Sequence, residues 1–509
     1  MDPISGLSLG FQQVFDPANL AFLLLGVVLG LVVGVLPGLG ATSGVAILLP
    51  VTVFIAPNAA VMLLAGIYWG ALFGGVVTSI LFNIPGEPWT VALVFDGHPL
   101  AKMGKAGLAL TTAFVASFIS AWIANLLFTF FAVPLAEFAL RFGPPEIFAI
   151  MLLAFGTFVG LGGESAVKTI IMMAAGFLLA SVGLDIVTGQ PRLTFGSIDL
   201  LEGFNFVPVT IGLFGLGEIL ASADEAGKVQ LERIKARLGL SDLVESIREH
   251  GRRVKLFVVT TLIGFWVGVM PGTGATPASF MGYGLARQYS KNPERFGKGA
   301  IEGVIAPQAG ANAAGVGSIL PMITLGVPGS PTAAVIMAGL FIWGLTPGPR
   351  LFIDKPDFVW GLIASLYVAH TATFLLCLLA VPALAALMRI PYALLTPLIV
   401  ALSILGAYAI NNSMFHVWLV LIFGVLGYLF KKLKYPIAPL VVALVLGDPT
   451  ESALRQTLIM SGGSLDILFT RPLSGPLTVL ALLLFLLPAI RLAVRHVQQR
   501  AVTRQAQTT

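Results

Sequence analysis

The chain has 509 residues, of which 57% are hydrophobic, 10% are charged and a single one is cysteine. Because soluble domains carry roughly 25% charged residues, this composition excludes a water-soluble globule, a disordered chain and a disulfide-rich secreted module. A net charge of +5 fits basic cytoplasmic loops beside a membrane, so nucleic acid is not expected as a partner. Since lipid cannot satisfy an open backbone, the predicted fold class is an all-α polytopic membrane protein in a lipid bilayer.

A membrane crossing needs roughly 20 mostly apolar residues, and the chain contains about 11–13 hydrophobic segments of that kind. Two of them, 20–53 and 256–286, are interrupted by Pro and Gly. The other apolar segments, in chain order, are 59–83, 108–133, 147–162, 168–187, 205–222, 300–326, 358–388, 391–410, 413–430, 436–447 and 473–490. Prolines within 436–461 break the apolar pattern, so the topology of that region stays open, and a short span followed by a surface helix is one expectation.

Basic residues indicate which loops face the cytoplasm. The first Lys or Arg of the chain is Lys102, so everything before it is predicted to be within the membrane or outside the cytoplasm. The most charged stretch is 223–255, and basic clusters follow at 287–298, at 431–434 and after 491, all predicted to be cytoplasmic. The stretch 223–255 is expected to contain an amphipathic helix. It is either a solvated linker between two membrane halves or a docking site for a soluble regulator.

An internal duplication is the most informative feature of the sequence. The segment Gly-Val-Leu-Pro-Gly-Leu-Gly-Ala-Thr at 34–42 recurs at 268–276 as Gly-Val-Met-Pro-Gly-Thr-Gly-Ala-Thr, with seven of nine positions identical. A second pair follows in the same order, because Ile-Pro-Gly-Glu-Pro at 84–88 corresponds to Val-Pro-Gly-Ser-Pro at 327–331. The shared order and similar spacing indicate two related repeats.

Charge placement indicates that the two repeats have opposite orientations in the membrane. Residues 287–298 carry four basic side chains and one acid, whereas the matching turn 54–58 carries no charge. Inverted repeats with interrupted apolar segments are typical of secondary transporters. The predicted organisation is a first membrane repeat, a cytoplasmic charged linker, a second membrane repeat, and a final transmembrane helix with a basic cytoplasmic tail, at 1–222, 223–255, 256–472 and 473–509.

The Pro-Gly motifs are predicted to break the helices that contain them. Proline cannot continue a helix without a break, and glycine permits a tight turn and the close approach of a ligand. We therefore expect re-entrant hairpins with tips at 36–43 and 270–279. Irregular backbone is expected at 84–88 and 327–332, and the four segments together are predicted to enclose one central site.

Each hairpin is expected to present a helix N-terminus to the membrane interior. Thr42 and Thr276 stand where an N-cap hydroxyl is expected. Free N–H groups and the positive end of a helix dipole can hold an anion there without a buried Lys or Arg. The predicted substrate-binding residues are Pro37, Gly38, Gly40, Thr42, Ser43, Pro85, Gly86, Pro271, Gly272, Gly274, Thr276, Pro328, Gly329, Ser330 and Thr332.

Oxygen-bearing side chains beside these motifs are candidate ligands for a coupling cation. The predicted cation-binding residues, with Na⁺ as the favoured metal ion, are Thr78, Ser79, Asn83, Glu87, Thr273, Asn312 and Ser318. For each hydroxyl the alternative is a bond back to its own helix, which is the commoner arrangement in membrane helices. Glu87 has two interpretations, a cation ligand or proton carrier that keeps H⁺ coupling open, and an interfacial acid.

Catalytic motifs are weak in this sequence. No two of its five His residues lie at metal-ligand spacing, and no Walker, G-x-S-x-G or H-E-x-x-H motif is present. The chain is therefore predicted not to be an enzyme and to need no cofactor besides Na⁺ or H⁺ as the coupling ion. A passive channel and an intramembrane enzyme are the alternative interpretations.

The motifs resemble those of the large membrane subunit of the tripartite tricarboxylate transporters, the TctA family. The resemblance rests on 34–42, 84–88, Phe-Asp-Gly-His-Pro-Leu-Ala-Lys-Met-Gly-Lys-Ala-Gly at 95–107, Ala-Pro-Gln-Ala-Gly-Ala-Asn-Ala-Ala at 306–314, and 327–331. It covers nearly the whole chain. The resemblance implies two partners, a periplasmic substrate-binding protein and a small membrane subunit of about four helices.

The function that the resemblance implies is the translocating subunit of a binding-protein-dependent secondary active transporter. Such a transporter takes up di- and tricarboxylates and is driven by a cation gradient, with Na⁺ favoured over H⁺. Alternating access is the expected mechanism, and elevator-type and rocking motions both stay open. The chain is expected to be a multi-pass protein of the bacterial inner membrane. Which carboxylate is carried and whether the complex forms a homodimer are left open.

Overall fold

The computed structural model describes residues 2–36, 39–161, 165–185, 189–225, 238–387 and 392–490. Its first twelve helices are α1 Pro3–Val14, α2 Pro17–Val35, α3 Ala41–Leu48, α4 Pro57–Phe82, α5 Val91–Leu100, α6 Ala106–Ala139, α7 Pro144–Leu161, α8 Ala166–Ala180, α9 Phe206–Thr210, α10 Gly217–Glu225, α11 Leu240–Arg252 and α12 Val254–Val269. The helices that follow are α13 Ala275–Tyr289, α14 Glu302–Gly317, α15 Ile319–Leu325, α16 Pro331–Ile342, α17 Leu351–Asp354, α18 Pro356–Leu387, α19 Tyr392–Asn411, α20 Met414–Lys432, α21 Ile437–Met460, α22 Ile467–Thr470 and α23 Ser474–Ile490. The strands of the described residues, β1 Gly183–Leu184 and β2 Pro191–Arg192, form one short antiparallel pair.

The helices confirm the predicted class of an all-α polytopic membrane protein. Within the described ranges, six helical stretches are long and apolar enough to cross a bilayer, and they are Pro17–Val35, Pro57–Phe82, Pro88–Ala139, Pro356–Ala386, Met414–Lys432 and Ile437–Met460. Eight shorter apolar helices accompany them. The expected division of 436–461 into a short span and a surface helix is not seen. Helix α21 is continuous there with Pro449 inside it, because a proline can be accommodated within a membrane helix when neighbouring groups satisfy the freed backbone.

Helix ends follow the capping residues of the sequence. At the start of α2 the Asp16 carboxylate accepts from the N–H groups of Ala18 (3.1 Å) and Asn19 (3.3 Å), as expected for an N-cap. Helix α4 ends at Asn83 and helix α15 ends at Gly326, with φ angles of 58° and 70°. Both residues have a left-handed conformation that terminates a helix. They directly precede the two copies of the Pro-Gly motif, so these breaks occur where the sequence predicts them.

Helices α2 and α4 pack backbone against backbone. A Cβ atom on Gly34 would lie 2.6 Å from the Cα of Ala71, and one on Gly74 would lie 2.9 Å from the nitrogen of Val35. Helices α12 and α14 repeat the arrangement, because a Cβ on Gly268 would also lie 2.6 Å from a Cα, that of Ala314. Small residues therefore set the helix separation in both pairs, as is common in membrane proteins.

Replacing Gly268 with valine is expected to destabilise the protein by about 3 kcal/mol or more, because the added atoms meet backbone that cannot move aside. The matched control is Gly284→Val on α13, where a Cβ would have no neighbour within 4 Å. Thermal unfolding in detergent, read by size-exclusion chromatography, compares the two variants. Equal melting temperatures for both would contradict the packing described for α12 and α14.

Two compact units make up the chain. The larger comprises Met1–Arg141, Phe204–Met270 and Gly274–Ile437, and the smaller comprises Phe142–Gly203, Pro271–Thr273 and Ala438–Thr509. Within the smaller unit, Asp185 pairs with both Arg192 (3.4 Å) and Arg455 (2.9 Å). Packing rather than sequence similarity defines these units, so the division into two repeats stays a prediction.

Candidate functional site

The carboxylate of Glu87 lies at the start of helix α3. The N–H of Ala41 donates to Glu87 Oε1, and the indole Nε1 of Trp89 donates to Glu87 Oε2 (3.1 Å). Gly40 precedes the helix, and a Cβ there would lie 2.8 Å from Glu87 Cγ. The Pro-Gly motif of the first half thus supplies an acid that binds the positive end of α3, the helix that follows the hairpin motif of the same half.

The second half has serine where the first has Glu87. The N–H of Gly274 donates to the carbonyl of Gly329 (3.1 Å), and a Cβ on Gly274 would lie 3.5 Å from the Cβ of Ser330. Ser330 Oγ accepts from the N–H of Ala333 (3.1 Å) and so caps helix α16. Among the described residues, no side chain caps the N-terminus of α13. The two hairpin arms therefore differ in charge, with an acid at α3 and none at α13.

Two hydrogen bonds link α3 and α13, the helices that follow the two hairpin motifs, to the segment after the Pro-Gly motif of the other half. Thr42 Oγ1 on α3 shares a hydrogen bond with Thr332 Oγ1 on α16 (2.8 Å). Ser279 Oγ on α13 donates to the carbonyl of Trp89 (2.8 Å). Thr332 and Ser279 are buried, whereas Thr42 is half-buried. Together with the Ala41–Glu87 and Gly274–Gly329 bonds, these contacts join residues of all four motif segments within the larger unit.

The Pro-Gly glycines make matched close contacts. A Cβ on Gly86 would lie 2.8 Å from the Cα of Gly75 and 3.2 Å from the carbonyl oxygen of Gly34. A Cβ on Gly329 would lie 2.6 Å from both the Cα of Ser318 and the carbonyl oxygen of Gly268. In each half, the motif glycine thus contacts the glycine that opens the hairpin motif, and only hydrogen fits at the glycine Cα.

Thr42 and Thr276 are not N-caps, contrary to the expectation from sequence. The N-cap positions of α3 and α13 are Gly40 and Gly274. Each threonine is the second residue of its helix, so its hydroxyl is free to bond elsewhere, as that of Thr42 does with Thr332. Thr276 is half-buried on α13, and Ser43 is buried on α3. Pro328 is buried, whereas Pro85 is exposed.

Several hydroxyls predicted as cation ligands bond to their own helix. Thr78 Oγ1 and Ser79 Oγ both donate to the carbonyl of Gly75, at 3.0 Å and 2.7 Å. Ser318 Oγ lies 2.8 Å from the carbonyl of Gly315 and 3.1 Å from Ser330 Oγ. Asn83 is exposed at the left-handed end of α4. Ser318 thus also bonds to a residue of the second Pro-Gly motif, and the cation-binding role of the group stays a prediction.

The hairpin tips are described only in part. Pro37 and Gly38 lie outside the described residues. Pro271, Gly272 and Thr273 belong to the smaller unit, where Thr157 Oγ1 donates to the carbonyl of Pro271. Gly272 has a φ of 77°, which favours glycine, and a Cβ there would overlap the ring of Phe158. The binding roles predicted for the residues of the two tips therefore stay predictions.

A buried amide cluster joins helices α6 and α14. Gln308 Nε2 and Asn312 Nδ2 donate to Ser117 Oγ at 2.7 Å and 3.2 Å. All three side chains are fully buried, and among the described residues Gln308 Oε1 and Asn312 Oδ1 have no hydrogen-bond partner. The described residues also hold no group of three His, Cys, Asp or Glu side chains that could bind a metal ion. Gln308 Oε1 and Asn312 Oδ1 are candidate oxygen ligands for a cation because they are buried and unpartnered among the described residues.

Asp96 forms a buried clamp that the sequence did not reveal. Its Oδ1 accepts from the N–H groups of Lys298 (3.1 Å), Gly299 (2.8 Å) and Ala300 (2.8 Å). Its Oδ2 accepts from the hydroxyl of Tyr283 (2.9 Å), and the side chain is fully buried. The carboxylate therefore holds the loop before α14. The sequence signal that points to Asp96 is its position as an isolated acid within an apolar stretch.

Comparisons with known proteins agree with the family that the motifs resemble. The sequence model of the Tripartite tricarboxylate transporter TctA family matches residues 20–442. An Agrobacterium vitis protein described as "Uncharacterized 52.8 kDa protein in TAR-I ttuC' 3'region" is 40% identical over 497 residues, covering 96% of this chain and 98% of that protein. Another from Agrobacterium vitis, "Uncharacterized protein in TAR-II ttuC' 3'region", is 38% identical over 231 residues, covering 45% of this chain and 96% of that protein. No solved structure matches the chain. The match over most of its length confirms the resemblance, and the chain belongs to the TctA family as a membrane subunit of a tripartite tricarboxylate transporter.

Proposed function

We propose that this chain is the translocating subunit of a binding-protein-dependent secondary active transporter that takes up di- and tricarboxylates. The observation that carries the proposal is the pair of bonds Thr42–Thr332 and Ser279–Trp89, which join each hairpin arm to the other half. A transport site at the interface of two repeats is the common arrangement in secondary transporters. The matched contacts of Gly86 and Gly329 support the inverted repeat on which that site depends.

The substrate carboxylate binds at the N-terminus of α13 rather than at that of α3. The Glu87 carboxyl already accepts from the Ala41 N–H at the start of α3, so it occupies that helix end, and an ionised Glu87 would repel a second anion there. The α13 end has no side-chain cap among the described residues and lies beside Ser330. Backbone N–H groups at a helix N-terminus bind anions readily. Gly274, Thr276 and Ser330 are therefore the foremost residues of the proposed substrate site.

The coupling ion is Na⁺ in this proposal, and H⁺ is the alternative. The unpartnered oxygens of Gln308 and Asn312 support Na⁺, because neutral oxygen ligands suit a cation that must also be released. Asn312 was among the residues expected from sequence, whereas Gln308 and Ser117 extend that set. The cluster is buried between α6 and α14, where an uncompensated protein charge would be costly.

The remaining components of the proposal follow the family. A periplasmic binding protein delivers the carboxylate, and a small membrane subunit pairs with this chain in the bacterial inner membrane. Alternating access exposes the site to each side in turn, and an elevator-type and a rocking motion both fit the proposal. The complex is proposed to form a homodimer. No enzymatic step and no cofactor beyond the coupling ion are part of this mechanism.

Citrate is expected to protect a cysteine placed at Thr42, because Thr42 is half-buried and bonds to Thr332, which lies two residues after Ser330 of the proposed substrate site. The native Cys377 is fully buried, so Cys377→Ala provides a cysteine-free background. We expect saturating citrate and Na⁺ to slow modification of Thr42→Cys by a charged methanethiosulfonate about tenfold. The control is Phe54→Cys, since Phe54 is 76% exposed on the segment that follows α3. Equal rates with and without citrate at Thr42→Cys would place the substrate elsewhere.

A further inference from the structure

A basic cavity of about 930 Å³ lies in the larger unit, away from the proposed transport residues. Its walls come from the start of α12, the end of α13 and the loop that follows α13. Five cationic side chains line it, against one acid, Glu302, and the five are Arg252, Arg253, Lys255, Lys291 and Arg295. The cavity therefore has a strong preference for an anion.

Three of the five cations are not neutralised by the protein. Arg253 pairs with Glu302 (2.7 Å), and Arg252 pairs with Glu249 (2.7 Å). In the part of the chain that the structure describes, no salt bridge involves Lys255, Lys291 or Arg295. These three side chains are exposed to solvent, and a cleft lined by charges of one sign concentrates ions of the opposite sign, so this cavity attracts an anion.

The same cavity has an apolar wall. Leu256 and Val259 contribute from α12, and Leu285 contributes from α13. Val259 is 39% exposed, so the apolar surface continues outward along a helix of the membrane region. A ligand that fits both parts has a charged end and a hydrocarbon portion, which a small soluble anion lacks.

Helix α11 beside the cavity has the character of an interfacial helix. Leu240, Val244 and Ile247 are 83%, 57% and 55% exposed, and their spacing puts them on one helix face. His250 is buried on another face of the helix. Its Nδ1 donates to the carbonyl of Ser246 (2.8 Å). Burial lowers the pKa of His250, so this side chain adds no positive charge at neutral pH. An exposed apolar face next to basic side chains is typical of a helix lying in the headgroup region of a membrane.

We propose that this cavity binds an anionic phospholipid, with the phosphate at Lys255, Lys291 and Arg295 and an acyl chain along the apolar wall. Basic pockets between membrane helices on the cytoplasmic side are suited to such headgroups, and the positive-inside rule assigns this cluster to that side. The volume is enough for a headgroup and the first part of a chain. The site is independent of the transport proposal, because it shares no residue with the substrate or cation sets.

The test measures binding of dioleoylphosphatidylglycerol to the purified full-length protein by native mass spectrometry, with dioleoylphosphatidylcholine as the uncharged comparison. The variant is Lys291→Gln with Arg295→Gln, which removes two loop cations. We expect the wild type to retain the anionic lipid in preference to the zwitterionic one. The double variant is expected to bind the anionic lipid about 25-fold more weakly.

The matched control is Arg350→Gln with Lys355→Gln, which removes the same charge from exposed positions in another loop. It is expected to bind the anionic lipid like the wild type. Equal retention of both lipids by the wild type, or equal loss in both double variants, would overturn the proposal. Displacement of the lipid by inorganic phosphate or citrate would also overturn it, since the cavity would then be a site for a soluble anion.

Discussion

Replacing Asp96 with alanine is expected to lower the free energy of unfolding by about 5 kcal/mol, because one buried and three partly buried donors lose their acceptor at once. The donors are three backbone N–H groups at 298–300 and the hydroxyl of Tyr283. A loss of that size is comparable to the whole stability of many domains, which is roughly 5–15 kcal/mol. The variant is therefore expected to give little monodisperse protein in size-exclusion chromatography after extraction from the membrane.

Two milder variants calibrate that prediction. Asp96→Asn keeps an oxygen acceptor for the loop and is expected to cost about 2 kcal/mol, whereas Tyr283→Phe removes one donor and is expected to cost about 1 kcal/mol. Melting temperatures in detergent should therefore fall in the order Tyr283→Phe, Asp96→Asn, Asp96→Ala. If Asp96→Ala were as stable as Tyr283→Phe, that result would contradict a stabilising role for the bonds between Asp96 and the loop.

Citrate uptake by the Glu87→Ala variant is expected to fall about 100-fold, because two charge-assisted hydrogen bonds worth about 3 kcal/mol together are lost. These bonds hold the start of α3 and the ring of Trp89, whose neighbours Thr42 and Ser279 lie at the proposed site. Glu87→Gln keeps an acceptor for the Ala41 N–H. Its initial uptake rate is expected to remain within about fivefold of the wild type, with the Na⁺ dependence unchanged.

The comparison of the two Glu87 variants separates a structural role from a proton-carrying one. Both are compared at equal amounts of reconstituted protein, so that folding losses do not enter the rate. If Glu87→Gln were as inactive as Glu87→Ala, the charge itself would be required. That result would favour the interpretation of Glu87 as a proton carrier or cation ligand, and H⁺ would replace Na⁺ as the expected coupling ion.

Local chemistry made the helix breaks predictable. Asn83 and Gly326 end α4 and α15 directly before the Pro-Gly motifs, because proline and glycine act within a few residues of themselves. The all-α membrane class follows from composition for a similar reason, since a bilayer permits few structures. The family could be recognised because its motifs are long and occur twice.

Long-range pairing could not be predicted from one sequence. Thr42 and Thr332 are 290 residues apart, and Asp96 is 202–204 residues from its three N–H donors. No local pattern indicates which partner such a side chain meets. The cap of α3 was misassigned for this reason, since Thr42 was the nearest hydroxyl but the acceptor for Ala41 comes from Glu87, 46 residues away. Thr78 and Ser79 illustrate the opposite case, because their bonds to Gly75 are local.

Uptake of radiolabelled citrate into proteoliposomes tests the central claim, cation-driven translocation by this chain, most directly. The vesicles contain this chain with its small membrane subunit, and the purified binding protein is added outside. A Na⁺ gradient and a pH gradient are imposed separately. The account predicts accumulation above equilibrium that needs the binding protein and follows the Na⁺ gradient. Citrate that merely equilibrates, at the same rate with and without either gradient, would contradict the account and indicate a passive channel.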